Sequence, residues 1–311
     1  FVAFSSSTQD CAIDAFRIES AADEMQGSLA AGYQFCYRSA MLVAGAGALY
    51  IADIYSWNTA YFFMAALMFV GIGTVLVIPE PARDDKDKPK SIKSEKTGKW
   101  DRLIHWFQVA FMAPFIEFFK RNGSYALIIL TFIAVFRLSD IAMGIMANPF
   151  YLDMGFTKTE IASISKIFGF FMTLLGAFLG GLCVVRYGAH RPLLLAAGLT
   201  AVTNLLFVNL ANMGHDINGL VMAISADNIS GGFAGAVFIA YLSSLTNRAF
   251  TATQYALFTS LMTLPGKFFS GFSGIIVDAT SYQVFFTYAA LMGIPAIVLS
   301  WMLWKKAGHA T

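Results

Sequence analysis

Long apolar runs with almost no charge recur along the chain, separated by short polar connections. Leu29 to Ile51 places one charged residue in 23 positions, and as a helix rising about 1.5 Å per residue it exceeds the roughly 30 Å hydrocarbon core of a bilayer. Similar runs cover Ala60 to Ile78, Ser124 to Ala147, Ile161 to Val185, Pro192 to Ala211, Gly219 to Leu242, Ala252 to Val277 and Val284 to Trp304, which makes eight predicted membrane-spanning helices. Phe1 to Phe16 reads as part of a ninth, cut short at its N-terminal end and carrying Asp10 and Asp14. The pattern predicts an all-α polytopic membrane protein, with the lipid bilayer as its first partner.

The pattern changes abruptly between Pro79 and Asn122, where 44 residues hold 17 of the chain's 40 acidic and basic residues. Pro79-Glu80-Pro81 stops the preceding helix, because proline lacks the amide proton that a helix needs. Trp100 to Phe119 mixes aromatics with a few charges, which fits either a solvated linker or a helix lying in the membrane interface. Three spans precede this linker and six follow it. One large transporter class is built of two six-helix halves joined by a central loop. The expected organisation is therefore the end of an N-terminal bundle over residues 1–80, a charged linker over 81–121 and a C-terminal six-helix bundle over 122–311. About three N-terminal helices are then missing, and the chain reads as beginning in mid-protein. Placing the linker in the cytoplasm and alternating outward puts sixteen lysines and arginines on the cytoplasmic side, Arg17, Arg186, Arg191, Arg248, Lys305 and Lys306 among them, against Lys158 alone outside. By the positive-inside rule the linker and the C-terminus are expected to be cytoplasmic.

Composition narrows the class further. The 311 residues are 57% apolar and 13% charged, about half the charge of an ordinary soluble domain. A net charge of +2, without a basic stripe interleaved with aromatics, gives nucleic acid nothing to bind. Cys11, Cys36 and Cys183 are odd in number and lie in apolar stretches, so they read as packing residues rather than as a disulfide framework or metal site. His105, His190, His215 and His309 are scattered, with no carboxylate at metal-ligand spacing. No G-x-x-x-x-G-K-S/T phosphate loop and no G-x-S-x-G nucleophile turn occur. The expectation is a protein that is not an enzyme and needs no cofactor or metal, and whose transport, if it transports, is driven by a gradient rather than by ATP.

Charges inside the spans carry most of the functional information, because an ionised side chain at the helix centre costs about 2.5–3.5 kcal/mol on the insertion scale. Asp10, Asp14 and Arg17 stand at i, i+4 and i+7 with Gln9 beside them, a polar wall on one face of the first helix. Arg38 follows Tyr37 in the middle of the next span, and the acids of the first helix are natural partners for it. After the linker, Arg137 and Asp140 share a helix, Lys166 lies early in the next, and Asp227-Asn228 and Lys267 lie on two later spans. Two readings stand side by side: a polar cavity between two bundles, in which at least one acid exchanges a proton, or interhelical staples and cytoplasmic gate locks. Gly176 with Gly180, and Gly231 with Gly235, have the small-xxx-small spacing that lets helices approach closely. Pro265-Gly266 is a candidate kink beside Lys267.

Gly181-Leu-Cys-Val-Val-Arg186-Tyr-Gly188-Ala-His-Arg191-Pro192 resembles the cytoplasmic G-x-x-x-D-R-x-G-R-R loop of the major facilitator superfamily, with Val185 where that family has its acid. Phe4-Ser-Ser-Ser-Thr-Gln9-Asp10-Cys-Ala-Ile-Asp14-Ala15, Tyr37-Arg38 with Met41-Leu-Val, and Phe136-Arg-Leu-Ser-Asp140-Ile-Ala-Met resemble the AmpG-type muropeptide permeases of that superfamily. So do Lys166, Asp227-Asn228-Ile-Ser-Gly231-Gly232 and Phe250-Thr-Ala-Thr-Gln254-Tyr-Ala-Leu. Asp227 stands where that family commonly has Glu, and Lys267 where Arg is common. The resemblance implies a major facilitator fold and a monomeric symporter of the bacterial inner membrane. It would carry anhydro-muropeptides, disaccharide-peptide fragments of the cell wall, into the cytoplasm with protons for peptidoglycan recycling. The expected proton-coupling acids are Asp10, Asp14, Asp140 and Asp227, and the expected substrate-binding residues are Gln9, Tyr37, Arg38, Lys166, Asn228 and Lys267. A carrier of another anionic conjugate, such as an acyl-CoA or a peptide, is the second reading. A non-transporting membrane enzyme or receptor is the third.

Overall fold

The computed structural model describes residues 1–81, 100 and 107–308; the linker positions 82–99 and 101–106, with most of the charge predicted there and the start of the predicted interfacial helix, lie outside the described residues. Among the described residues every regular element is helical. Helix α1 (Val2–Glu19) runs one turn beyond the predicted Phe16 and so includes Arg17. Helix α2 (Gln26–Leu42) passes through a π-helical turn at Val43–Gly47 into α3 (Ala48–Ile54), and α4 (Trp57–Val77) packs along α3. After a second π-helical turn at Gln108–Met112 come α5 (Ala113–Asn122), α6 (Tyr125–Phe136) and α7 (Leu138–Asp153). One turn at Lys158–Glu160 and a π-helical segment at Ile161–Phe168 lead into α8 (Gly169–Tyr187). The remaining helices are α9 (His190–Met213), α10 (Ile217–Leu245), α11 (Thr251–Ser270), α12 (Ser273–Ala279), α13 (Tyr282–Leu291) and α14 (Ile294–Gly308).

Local chemistry sets several of these boundaries. Thr157 accepts from the Glu160 amide while the Glu160 carboxylate accepts from the Thr157 amide, a reciprocal cap for two otherwise unpaired donors. Asp216 accepts from the amides of Asn218 and Gly219 and so starts α10. Between α8 and α9 the turn is made at Gly188, whose φ of +72° only glycine adopts without strain.

Among the described residues seven helical stretches are long and apolar enough to cross a membrane, one fewer than the eight predicted. The missing one is Ala252 to Val277, which divides at Gly271–Phe272 into α11 and α12. Its threonines, Gln254 and Lys267 dilute the apolar character of α11, yet that helix packs against α1, α6 and α7. Two further predicted spans are interrupted. Ser124 to Ala147 continues to Asp153 but leaves the helix for one residue at Arg137 (φ −95°, ψ 2°). Val284 to Trp304 divides at Met292–Gly293. Pro265-Gly266, by contrast, does not interrupt α11: a Cβ on Gly266 would lie 2.6 Å from Ile141 Cδ1, so the glycine serves the close approach of α11 to α7.

The C-terminal helices form two apolar clusters. Phe132, Phe136, Leu193, Phe238 and Tyr241 belong to the first, and Phe150, Phe207, Ile224, Phe285 and Phe286 to the second. Between them lies a polar level, reached along α7 at Ser139, along α9 at Asn204 and along α10 at Ser230, which are 1%, 0% and 2% exposed.

Close helix crossings are made by glycine. A Cβ on Gly180 would lie 2.7 Å from the Phe233 carbonyl oxygen, and one on Gly176 or Gly232 would strike the backbone of Ile229 or Thr173. Gly232 joins Gly176 and Gly180 in this crossing of α8 and α10, whereas the two glycines of the Gly231–Gly235 spacing have different surroundings. Gly231 faces open space and Gly235 faces Gln34 of α2. Gly181 also differs from expectation. It lies within α8 and crosses α2, where its Cβ would lie 2.8 Å from the Gly27 carbonyl oxygen. Arg186 is likewise helical and Arg191 begins α9, because the helical ladder continues to the Gly188 amide, which donates to Val184 at 2.9 Å.

Candidate functional site

The N-terminal helices meet the C-terminal ones at the end where α1 finishes and α2 begins. Arg17, buried at 7% exposure, donates to Ser243 Oγ of α10 at 3.1 Å and to Gln26 Oε1 at 3.4 Å. Its guanidinium lies 5.4 Å from the Tyr33 ring centroid and 5.3 Å from that of Tyr255, one ring from each side of the junction. Arg248 adds a hydrogen bond to the Ala21 carbonyl at 3.3 Å.

Further along α2 a cavity of about 380 Å³ lies between α2 and the C-terminal helices. Arg38 lines it from α2, Asp140 and Tyr151 from α7, Lys166 from the π-helical segment, and Asp227 and Asn228 from α10. A smaller pocket of about 100 Å³ shares Arg38, Asp140, Thr173, Asp227 and Asn228 and adds Arg137 and Gly231. Two backbone irregularities place these groups. Lys166 sits on the π-helical segment, a feature often found at functional sites. Arg137 occupies the break between α6 and α7, and its guanidinium forms an ion pair with Asp140 one turn further on. The Asp140 carboxylate also lies in the first turn of α7, where the amide dipoles favour a negative charge.

The charges of the cavity do not cancel pairwise. Arg38 Nε is buried and has no hydrogen-bond partner, and its nearest charged neighbours are Arg137 and Asp140 rather than the acids of α1. Lys166 Nζ donates to Asn148 Oδ1 at 3.3 Å and forms no ion pair among the described residues. Asp227 forms none either, and interacts at longer range with Asp140 and Arg137. Asn228 is held by Thr173, whose hydroxyl lies 2.8 Å from its Oδ1, and donates to the Ile224 carbonyl at 2.9 Å. One amide proton of Asn228 remains for a ligand. Two uncompensated cations and one unpaired acid make a site that accepts an anionic group and has a carboxylate able to hold a proton.

Other residues singled out from the sequence lie off this cavity. Gln9 and Asp10 are exposed on α1. Asp14 pairs with Arg17 of its own helix at 3.8 Å. Tyr37 stacks on Tyr33, with ring centroids 6.4 Å apart, and Lys267 is exposed on α11. Thr173 and Tyr151 were not singled out. Thr173 has a signal in retrospect, since it stands one turn before Gly176 on the face that the glycines press against α10.

A model of the Major Facilitator Superfamily matches residues 1–266 of the chain. The chain belongs to the major facilitator superfamily. Among members of this superfamily it is 32% identical to AmpG 4 of Rickettsia felis over 97% of its own length and 70% of that protein. It is 32% identical to AmpG 3 of Rickettsia prowazekii over 99% of its length and 71% of that protein. With the anhydromuropeptide permease of Escherichia coli K12 the identity is 29%, covering 96% of this chain and 57% of the permease. The major facilitator proton:xylose symporter XylE, solved with 6-bromo-6-deoxy-D-glucose, superposes with a TM-score of 0.68 at 16% identity over 93% of this chain and 66% of the symporter, a likeness of fold. The AmpG-type resemblance and the major facilitator architecture drawn from the sequence are thereby shown.

Proposed function

We propose that this protein is a proton-coupled importer of anhydro-muropeptides, working as a monomer in a bacterial inner membrane with its linker and C-terminus in the cytoplasm. The observation that carries the proposal is the convergence of Arg38, Lys166, Asp140 and Asp227 on one cavity between the N-terminal and C-terminal helices. The anhydromuropeptide permease among its relatives supports the substrate. Arg38 and Lys166 neutralise ligand carboxylates, and Asn228 donates its remaining amide proton to a sugar hydroxyl. Asp227 exchanges the proton, and the Arg137–Asp140 pair sets the field around it. Asp10 and Asp14 on α1 are the second pair of acids for that task.

The cavity lies at the lower end of small-molecule sites, which run from about 300 to 1,000 Å³, and fits the carboxylate-bearing part of such a ligand. One charge crossing 100 mV supplies about 2.3 kcal/mol, enough for roughly fortyfold accumulation of a neutral solute. The test is uptake of labelled anhydro-muropeptide into proteoliposomes with and without an imposed proton gradient. Gradient-dependent accumulation that a protonophore abolishes is expected, and D227N is expected to lose accumulation while retaining exchange of ligand across the membrane. Equal uptake with and without the gradient would remove the coupling, and no uptake by folded protein would remove the substrate.

A further inference from the structure

Three of the predicted spans are broken, and two of these breaks lie close to one another, joined by a side-chain hydrogen bond from α7 to α13 that α9 supports. The first is at Arg137, between α6 and α7. The second is at Met292–Gly293, between α13 and α14, where a Cβ on Gly293 would lie 2.9 Å from Ala201 Cβ of α9. At this second break the Gly293 amide donates to Ala290 rather than to Ala289, the partner a continuing helix would use. The Ala289 carbonyl is instead capped by the Ser139 hydroxyl at 2.6 Å. Ser139 in turn accepts from Asn204 Nδ2 at 2.7 Å. Both side chains are buried, and Asn204 Oδ1 has no partner.

This chain of bonds is costly to keep between two apolar clusters, because a buried acceptor left without a partner, as Asn204 Oδ1 is, gives up its solvation for nothing in return. Its position explains what it does. Ser139 stands two residues after the Arg137 break and immediately before Asp140, and it ties the first turn of α7 outward, to α13 and α9. Arg137 and Asp140 are then left on the cavity side.

We propose that Ser139 and Asn204 are positioning residues: they hold the α6–α7 break open and so fix the Arg137–Asp140 pair towards Arg38 and Asp227. The proposal rests on the transport reading only for its functional consequence. Without the pair, residues 136–141 can close into a continuous helix, which rotates Asp140 relative to the cavity by up to the roughly 100° that separates neighbouring residues on a helix.

The decisive variant is S139A/N204L, which removes both side-chain partners together; because it uncaps the Ala289 carbonyl, its fold is first checked as a monodisperse peak in size-exclusion chromatography, with N204L, which keeps the Ser139 cap, measured beside it. Two measurements are made on it in lipid nanodiscs and proteoliposomes. Amide hydrogen exchange of a peptide covering 137–143 reads the positioning without any ligand. A slowing of exchange of tenfold or more relative to the unaltered protein, as the break closes, is expected; unchanged exchange overturns the proposal. Uptake of labelled anhydro-muropeptide is then followed as a function of pH. The expected result is a maximal rate reduced at least tenfold, a half-saturating concentration changed less than threefold and a displaced pH optimum, with S139T restoring most of the rate because it keeps the hydroxyl. A folded double variant with the rate and pH profile of the unaltered protein overturns the proposal as well. If the unaltered protein takes up no muropeptide, the substrate reading fails by itself, and the exchange measurement still decides the positioning.

Discussion

Arg17 Nη1 donates to Ser243 Oγ at 3.1 Å, joining the last turn of α1 to the last turn of α10 across the junction of N-terminal and C-terminal helices. The same nitrogen also donates to Gln26 Oε1, at the longer distance of 3.4 Å. Removing the serine hydroxyl therefore takes the better acceptor from a buried cation. S243A is expected to cost about 1.5–3 kcal/mol, the range for hydrogen bonds to charged groups, read as a lowered thermal midpoint in detergent. S244A, at the exposed neighbouring position, is the control and should leave the midpoint unchanged.

Neighbouring glycines on α10 should respond oppositely to the same substitution. Gly232 meets the backbone of Thr173, whereas Gly231 faces open space. G232A is expected to abolish the monodisperse peak in size-exclusion chromatography, since helix backbone cannot move aside as a side chain can. G231A should elute as the unaltered protein does.

Affinity for an anion should depend on Arg38 more than on any polar group of the cavity, because its buried Nε lacks a partner in the unliganded protein. R38A is expected to raise the half-saturating ligand concentration by about 10- to 100-fold, corresponding to roughly 1.5–3 kcal/mol for a charge-assisted bond. Repeating the measurement with a ligand whose carboxylates are amidated checks the cause. The variant and the unaltered protein should then bind equally weakly.

Helix α5 is fastened to the C-terminal helices by Glu117, by the Pro114 carbonyl, which accepts from Gln254 Nε2 at 2.9 Å, and by Arg121, which donates to the Leu245 carbonyl. Glu117 accepts from Asn247 Nδ2 at 2.7 Å and from Gln254 Nε2 at 2.6 Å, and pairs with Arg121 Nε at 3.2 Å. Beside it Phe118 packs edge-on to Phe258, with ring centroids 5.2 Å apart. E117A is expected to speed amide exchange across 113–122 at least tenfold while leaving α8 unchanged. Equal exchange in both proteins would show that Phe118 and the bonds of Pro114 and Arg121 hold the helix without the carboxylate.

How far the fold could be read in advance follows from what each feature answers to. A bilayer demands an apolar run of fixed length, so the spans show in the sequence whatever their neighbours are. Breaks of a single residue answer to tertiary contacts. Nothing local in Phe136-Arg-Leu-Ser-Asp140 says that Ser139 will cap a carbonyl 150 positions away. The set of buried charges was legible because each is expensive in lipid, but which of them share a cavity depends on helix rotation. Lys166 lines the cavity from a π-helical segment that carries no sequence mark, while Lys267, exposed as Lys166 also is, stands on a regular helix off the cavity. The spacing of small residues announced close crossings on α10 but not which glycine makes which: Gly235 meets α2 and Gly232 meets α8, while Gly231 faces open space, because only the partner helix chooses.

The crossing of α2 over α8 has a mechanical consequence. Gly27 and Gly181 meet backbone to backbone, flanked by Ala31 and Val184, so at that point the two helices face one another with small side chains. Such a contact behaves as a smooth bearing. The two helices can roll or part at that point without extracting a knob from a hole, and the directional bonds of Arg17 and Arg248 add to the apolar contacts of Ile18 and Ala30 in resisting the movement. A joint of this kind yields over a short travel, since hydrogen bonds lose their hold within a fraction of an ångström, and then offers little further friction.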